Sequence, residues 1–163
     1  MLTTKKILIA YYSLRNGNAR IVAEQIKSDI GGDIFRIETV NAYPKEYRDV
    51  ITQSKKEFET GYKPALKRMV KNIEQYDIVI IGSPCWFGTI APAVVSFLSS
   101  YNLSGKTIVP FITNEGSNMG HSEKDIKNLC PQSILLNGIP IRSEAVQSSQ
   151  NEIIEWLRNI KLA

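Results

Sequence analysis

The chain has 163 residues and a mass of 18.3 kDa, which suits one domain with a sizeable buried core. Hydrophobic residues make up 43% and charged residues 22%, close to the globular average, so the composition excludes disordered and collagen-like chains. The net charge is +4, and the basic residues are scattered apart from a cluster within residues 55–71. We therefore expect a single domain over residues 1–163, with no nucleic-acid surface and no membrane span.

The two cysteines, Cys85 and Cys130, are too few for a disulfide framework and lack the spacing of metal ligands. The first apolar run, residues 7–12, is too short for a membrane span, and no signal-peptide cleavage pattern follows it. We expect a cytoplasmic protein with two reduced thiols and no metal site.

Short apolar runs alternate with amphipathic stretches in the first half of the chain. Residues 7–12 are continuously apolar, which is typical of a strand buried on both faces. Apolar side chains recur every four positions in residues 19–30 and predict a helix. The mixed faces of residues 33–40 predict an edge strand. A helix is predicted over residues 47–58, and a second helical piece over residues 66–73.

The second half continues the same alternation of short apolar runs and amphipathic stretches. Strands are predicted at residues 78–81, 107–113 and 133–136, and helices at residues 92–101, 123–129 and 150–160. Repeated strand–helix units predict an α/β fold, in which a parallel sheet carries helices on both faces.

Parallel α/β sheets bind ligands beyond the carboxyl ends of their strands, where the strand order reverses. The loops that follow the first, third and fourth predicted strands are therefore the candidate binding segments. They span residues 13–19, 83–89 and 114–121.

The first of these loops is short, polar and followed at once by a helix. It consists of Ser13, Leu14, Arg15, Asn16, Gly17, Asn18 and Ala19. Unpaired backbone amides and the positive dipole end of that helix would suit a phosphate group. An ordinary capped turn explains the same composition. The loop is neither a Walker A motif nor a dinucleotide-binding fingerprint.

The second loop places two large aromatic side chains directly after the most apolar strand. It consists of Ser83, Pro84, Cys85, Trp86, Phe87 and Gly88. A flat aromatic ligand could stack on Trp86, and Gly88 would allow close approach to the edge of such a ligand. The alternative is that Trp86 folds back and covers the core.

The third loop offers backbone amides and short polar side chains. Its candidate ligand-binding residues are Asn114, Glu115, Gly116 and Ser117. A flexible surface loop would have the same composition. The three loops together indicate a ligand-binding site more strongly than each loop alone, because the predicted topology brings them to the same edge of the sheet.

Several motifs in combination resemble the flavodoxin family, in particular its bacterial flavodoxin-like branch. They are Ile7-Leu8-Ile9-Ala10-Tyr11-Tyr12-Ser13 with Gly17-Asn18, Tyr43-Pro44 with Tyr47, Glu57 and Lys63-Pro64, Ile81-Gly82-Ser83-Pro84 with Trp86 and Gly88, Pro92 with Phe97-Leu98, Leu103-Ser104-Gly105-Lys106, Pro110-Phe111 with Thr113, and Glu115-Gly116-Ser117. The resemblance covers nearly the whole chain.

This resemblance implies a doubly wound five-stranded parallel sheet of order 2-1-3-4-5 and one non-covalently bound FMN. It implies that Ser13 and residues 16–19 hold the phosphate and that Trp86 stacks on the isoalloxazine. Residues 114–117 would line the pyrimidine side of the ring. The full set of candidate cofactor-binding residues is Ser13, Arg15, Asn16, Gly17, Asn18, Ala19, Ser83, Pro84, Cys85, Trp86, Phe87, Gly88, Asn114, Glu115, Gly116 and Ser117.

The chain departs from the family pattern in two respects. The phosphate loop of the family usually reads Ser/Thr-x-Thr-Gly-x-Thr, whereas the segment from Ser13 to Gly17 is one residue longer and Ala19 replaces the last threonine. Two hydroxyl donors are therefore missing. Electron-carrying flavodoxins are typically acidic, whereas this chain is basic.

The resemblance leads to one functional prediction with two alternatives. The prediction is an electron carrier that shuttles electrons between redox protein partners through FMN, without catalytic residues of its own. One alternative is an FMN-dependent reductase that passes a hydride from NAD(P)H to a quinone. The other is a flavodoxin fold that has lost tight FMN binding. A phosphoacceptor receiver domain fits poorly, since Tyr12-Ser13 and Ser83-Pro84 stand where such a domain needs acidic residues.

Overall fold

The computed structural model describes residues 5–14 and 17–162. Strands and helices alternate along most of this length. The elements are β1 (Ile7–Tyr11), α1 (Asn18–Ile30), β2 (Asp33–Arg36), α2 (Tyr47–Thr60), β3 (Ile78–Trp86), β4 (Thr89–Ile90), α3 (Pro92–Ser99), β5 (Thr107–Asn114), α4 (Ser122–Leu129), β6 (Ile134–Leu135), β7 (Ile139–Arg142) and α5 (Gln150–Asn159). Short 3₁₀ turns cover Ile73–Gln75 and Ser143–Ser148.

The strands form one sheet in the order β2-β1-β3-β5, and both β6 and β7 pair with the far side of β5. All of these pairs are parallel, and β4 runs antiparallel against the end of β3. Because β6 and β7 share the fifth position, the sheet has the predicted order 2-1-3-4-5. The predicted α/β class is confirmed.

Alternate residues of the central strands supply two hydrophobic cores, one on each face of the sheet. Leu8 of β1 faces the core that contains α3 and α4, whereas its neighbour Ile9 faces the core that contains α1 and α5. This alternation explains why the central strands are continuously apolar. Within the described ranges, no helix has the length and apolar character that a membrane crossing needs.

The third strand is longer than the apolar pattern predicts. Residues 83–86, predicted as a loop, continue β3, and Cys85 and Trp86 pair with β4 to form a hairpin. Phe87 and Gly88 form its turn, with φ values of 51° and 80°. Positive φ at both central residues is what a type I′ turn requires. The loop prediction was therefore wrong for residues 83–86.

The predicted second helical piece at residues 66–73 is also wrong. Residues 66–72 are not helical, and the chain after Pro64 lies along the free edge of the sheet instead. The Lys67 amide donates to the Glu38 carbonyl at 2.8 Å, and the Val40 amide donates to the Ala65 carbonyl at 2.8 Å. This edge pairing also explains why β2 ends at Arg36, earlier than predicted.

The fifth predicted strand is split in two, and the sequence pattern misses the second part, β7. β6 pairs with Thr107 and Ile108 and β7 pairs with residues 111–114, so the pairing gap falls at residues 109–110. Pro110 has no amide to donate to a neighbouring strand. The chain passes so close to Pro110 that a Cβ on Gly138 would lie 2.5 Å from the Pro110 carbonyl oxygen.

Gly82 of β3 provides a test of how tightly the sheet packs. A Cβ at this position would lie 2.0 Å from the ring of Phe111, which is fully buried. We expect Gly82→Ala to lower the free energy of unfolding by about 1–3 kcal/mol through overpacking. Urea unfolding measures this change. In the double variant Gly82→Ala/Phe111→Leu, the loss should be smaller than the sum of the single losses. Strict additivity would contradict the packing conflict.

Candidate functional site

A cleft of about 250 Å³ opens at the carboxyl ends of β1, β3 and β5. It is bounded by the three predicted loops together with residues from farther along the chain. The lining residues are Tyr12, Ser13, Leu14, Asn18, Ala19, Tyr47, Pro84, Cys85, Trp86, Thr113, Asn114, Glu115 and Ser143.

The cleft brings together part of the predicted set from each loop: Ser13, Asn18 and Ala19; Pro84, Cys85 and Trp86; and Asn114 and Glu115. The remaining described members, which do not line the cleft, are Gly17, Ser83, Phe87, Gly88, Gly116 and Ser117. Arg15 and Asn16 lie outside the described residues.

Ser83 shows that a residue next to a cleft-lining residue in the sequence need not line the cleft itself. Its side chain is fully buried, its Oγ donates to the Pro84 carbonyl at 2.8 Å, and the same atom accepts from the Ala91 amide at 2.9 Å. The contact with Ala91 ties β3 to the chain that leads into α3, whereas the contact with Pro84 lies within β3. Ser83 therefore does not contact the cleft, but its hydrogen bond helps to fix the position of the cleft residues that follow it in β3.

The first turn of α1 forms one end of the cleft. Gly17 precedes the helix with φ 72°, and no side chain among the described residues caps the helix start. The first turn also contains no acidic residue. Uncapped amides and the helix dipole make this end of the cleft favourable for an anion.

Trp86 forms a wall of the cleft and packs against the core at the same time. Tyr12 and Tyr43 meet the indole at 86° and 88°, with ring centroids 5.8 Å and 5.4 Å from it. Such edge contacts are favourable for aromatic pairs. Trp86 therefore lines the cleft and covers the core with the same side chain.

A buried carboxylate holds Tyr43. The Tyr43 hydroxyl donates to Glu57 Oε1 at 2.6 Å, and Gln53 Nε2 donates to Glu57 Oε2 at 3.4 Å. Glu57 lies on α2 and is only 6% exposed. Burial and the hydrogen bond to Glu57 raise the pKa of Tyr43 well above its ordinary value.

Asn114, at the end of β5, contributes an unsatisfied polar group. Its side chain is 3% exposed, and Oδ1 accepts from the Gly116 amide at 2.9 Å. The Ser143 hydroxyl donates to its backbone carbonyl at 3.2 Å. Its Nδ2 is buried without a hydrogen-bond partner among the described residues. Since buried polar atoms are normally paired, this amide is a candidate donor to a ligand.

The hairpin turn at Phe87 is held outside the cleft. Phe87 is 53% exposed, and its ring contacts Phe58 of α2 at 5.5 Å and 69°. The His121 amide donates to the Gly88 carbonyl at 2.6 Å, and a Cβ on Gly120 would lie 2.1 Å from that oxygen. These contacts fasten the hairpin to α2 and to the loop before α4.

Sequence reasoning missed five lining residues: Tyr12, Leu14, Tyr47, Thr113 and Ser143. Leu14 lies within the first predicted loop but was not chosen as a binding residue. Tyr12 and Thr113 each lie one residue before a predicted loop, so extending the loops by one residue would have found them. Tyr47 belongs to the motif that carries the resemblance, but the motif assigned it no role. Ser143 has no signal in the sequence, because it follows the missed strand β7.

Comparison with known proteins identifies the family of this sequence. A family model described as Flavodoxin matches residues 6–160. No curated protein is significantly similar to the sequence.

Solved structures share this fold over most of the chain. A candidate flavoprotein from Bacteroides eggerthii DSM 20697 is 30% identical, with a TM-score of 0.85 over 97% of this chain and 99% of its own. A flavoprotein from Lactobacillus acidophilus NCFM in complex with FMN is 19% identical, with a TM-score of 0.73 over 91% and 99%. A Fusobacterium nucleatum flavodoxin bound to flavin mononucleotide is 14% identical, with a TM-score of 0.60 over 97% and 98%.

Two tyrosines whose hydroxyls donate hydrogen bonds to carboxylates predict a loss of folding stability at alkaline pH. Tyr76 donates to Asp33 at 2.7 Å, and burial together with this bond raises its pKa from 10.0 to about 12. Folded Tyr43 and Tyr76 therefore keep protons that the unfolded chain loses above pH 10. Their contribution to stability is complete below pH 10 and decreases as the pH rises above it, and the part due to Tyr76 is lost by about pH 12.

Urea unfolding between pH 8 and pH 12 measures this loss. The double variant Tyr43→Phe/Tyr76→Phe should be less stable than the wild type below pH 10 and should lose less stability above it. Parallel pH profiles for the two proteins would contradict the assignment.

Proposed function

The chain belongs to the flavodoxin family, and we propose that it binds one FMN non-covalently in the cleft and transfers electrons between redox partners. One observation carries the proposal: three features share one cleft. They are the start of α1, which no described side chain caps, the Trp86 wall, and Asn114 Nδ2, which is buried without a hydrogen-bond partner among the described residues. Bound FMN would supply the electron-transfer chemistry, and the protein would supply binding and orientation.

The start of α1 suits the phosphate of FMN. Asn18 and Ala19 bring the first amides of the helix to the cleft, and Ser13 adds a hydroxyl. This arrangement supports phosphate binding although the loop lacks the family's usual threonines, because helix amides and the dipole supply favourable interactions without side-chain hydroxyls.

The opposite part of the cleft suits a flat ring with a polar edge. Trp86 would exclude water from one face of the ring, which disfavours added negative charge there. Asn114 Nδ2 would donate to an acceptor on the ring edge and so gain a partner that the described residues do not supply. Glu115 is exposed at the rim and would oppose added negative charge only weakly, because solvent screens it.

The basic character of the chain favours acidic redox partners. The net charge of +4 gives long-range attraction to an acidic protein surface, which speeds encounter at low ionic strength. Residues 61–72 contain Lys63, Lys67, Arg68 and Lys71 without any acidic residue, and all four side chains are exposed. This segment covers the β2 edge of the sheet.

Replacement of the aromatic wall tests the proposed FMN site. We expect Trp86→Ala to raise the Kd for FMN by at least about tenfold, because stacking and apolar burial are lost together. Calorimetric titration with FMN measures the affinity. Trp156→Phe is the matched control, since Trp156 lies on α5 and donates to the Asn137 carbonyl at 2.9 Å. Equal affinities for wild type and Trp86→Ala would remove Trp86 from the site.

A kinetic assay distinguishes electron transfer from the reductase alternative. The FMN-loaded protein is mixed with NADH or NADPH and a soluble quinone. The proposal expects no oxidation beyond that of the same concentration of free FMN. Saturable, quinone-dependent oxidation well above this background would contradict the carrier function and favour the reductase.

A further inference from the structure

We propose that Glu57 and Tyr43 are positioning residues for Trp86, so that helix α2 sets the orientation of the indole wall. Both residues belong to the motif formed by residues 43–64, to which the proposed function gives no role. The consequence for FMN affinity rests on the proposed function, whereas the orientation of Trp86 does not.

The first link is the burial of Glu57. The other buried residues of α2 are Val50 and Ser54, so a carboxylate occupies one of few inward positions on a mostly exposed helix. A buried carboxylate is costly unless it is paired. Tyr43 and Gln53 donate to its two oxygens at 2.6 Å and 3.4 Å, and these bonds offset the cost.

The second link is the contact between Tyr43 and Trp86. The phenol is anchored at its hydroxyl by Glu57, and its ring meets the indole almost perpendicularly at 5.4 Å. Tyr12, which is buried, meets the same indole at 5.8 Å and 86°. Tyr12 and Tyr43 also contact each other, with ring centroids 6.5 Å apart, so the three rings pack in a triangle. Because Trp86 contacts two rings that also contact each other, its side chain has a restricted orientation.

A second contact acts beside the first. Phe58 follows Glu57 on α2, and Phe87 follows Trp86 in the hairpin, and these two rings meet at 5.5 Å. Two consecutive residues of α2, Glu57 and Phe58, therefore hold two consecutive residues of the hairpin, Trp86 and Phe87. Glu57 acts on Trp86 through Tyr43, whereas Phe58 contacts Phe87 in the turn directly.

The test separates the hydrogen bond from the ring. Tyr43→Phe removes the hydroxyl and keeps the ring, Glu57→Leu removes the acceptor, and Glu57→Gln keeps an oxygen acceptor. Tyr76→Phe is the matched control, because it removes an equivalent bond from Tyr76 to Asp33 near the amino-terminal ends of the strands, whereas the cleft lies at their carboxyl ends. All variants are made in a Trp156→Phe background, so that Trp86 is the only tryptophan.

Two quantities are measured for each variant: the near-ultraviolet circular dichroism of Trp86 without FMN, and the Kd for FMN. We expect Tyr43→Phe and Glu57→Leu each to change the dichroism and to raise the Kd about five- to tenfold, in line with the loss of one charge-assisted hydrogen bond. Their combination should add little further change, because both remove the same bond. Glu57→Gln and Tyr76→Phe should stay within about twofold of the background protein.

Three results would overturn the inference. An unchanged Trp86 signal in folded Tyr43→Phe is one. An equal change in Tyr76→Phe, which would indicate general loosening, is another. The third is a loss in Glu57→Gln as large as in Glu57→Leu. If Glu57→Leu does not fold, Tyr43→Phe, which removes a single oxygen atom, still decides the question. If the background protein does not bind FMN, the proposed function fails, but a changed Trp86 signal still supports the positioning.

Discussion

The parallel pairing of β1, β3 and β5 is the constraint on which the cleft depends. Parallel strands end at the same edge of a sheet, so the segments that follow them must meet there. Each segment then contributes a different chemistry: helix amides after β1, an indole at the end of β3 and a buried amide at the end of β5. No single segment could bind a ligand that has both a phosphate and a flat ring.

The sequence predicted the sheet well because burial leaves a strong pattern. Strands enclosed by helices on both sides are continuously apolar, and that pattern located β1, the start of β3 and β5. The sequence pattern predicted the wrong structure where the local spacing of apolar residues favours one element and tertiary hydrogen bonds favour another. The spacing of Leu66, Val70 and Ile73 fits a helix, yet the backbone amides nearby bond to the sheet edge and to the Tyr101 hydroxyl. A single sequence does not reveal such bonds.

The site was predictable in its segments but not in its details. Each of the three predicted segments supplies lining residues, although Pro84, Cys85 and Trp86 belong to β3 and not to a loop. Which side chains face the cleft depends on strand pleat and on tertiary contacts: Ser83 is buried against the Ala91 amide, and Phe87 packs on Phe58 outside the cleft. Tyr47, which is 72% exposed, reaches the cleft from α2, whose place in space follows from no periodicity. The link from Glu57 through Tyr43 to Trp86 likewise joins residues far apart in the chain.

The most direct test of the cleft is a calorimetric comparison of FMN with riboflavin, which has the same ring but no phosphate. If α1 amides hold the phosphate and Trp86 bounds the ring, FMN should bind one-to-one and about 100-fold or more tighter than riboflavin, because the helix start favours an anion. Equal affinities for the two compounds, or no heat of binding with FMN, would contradict the account.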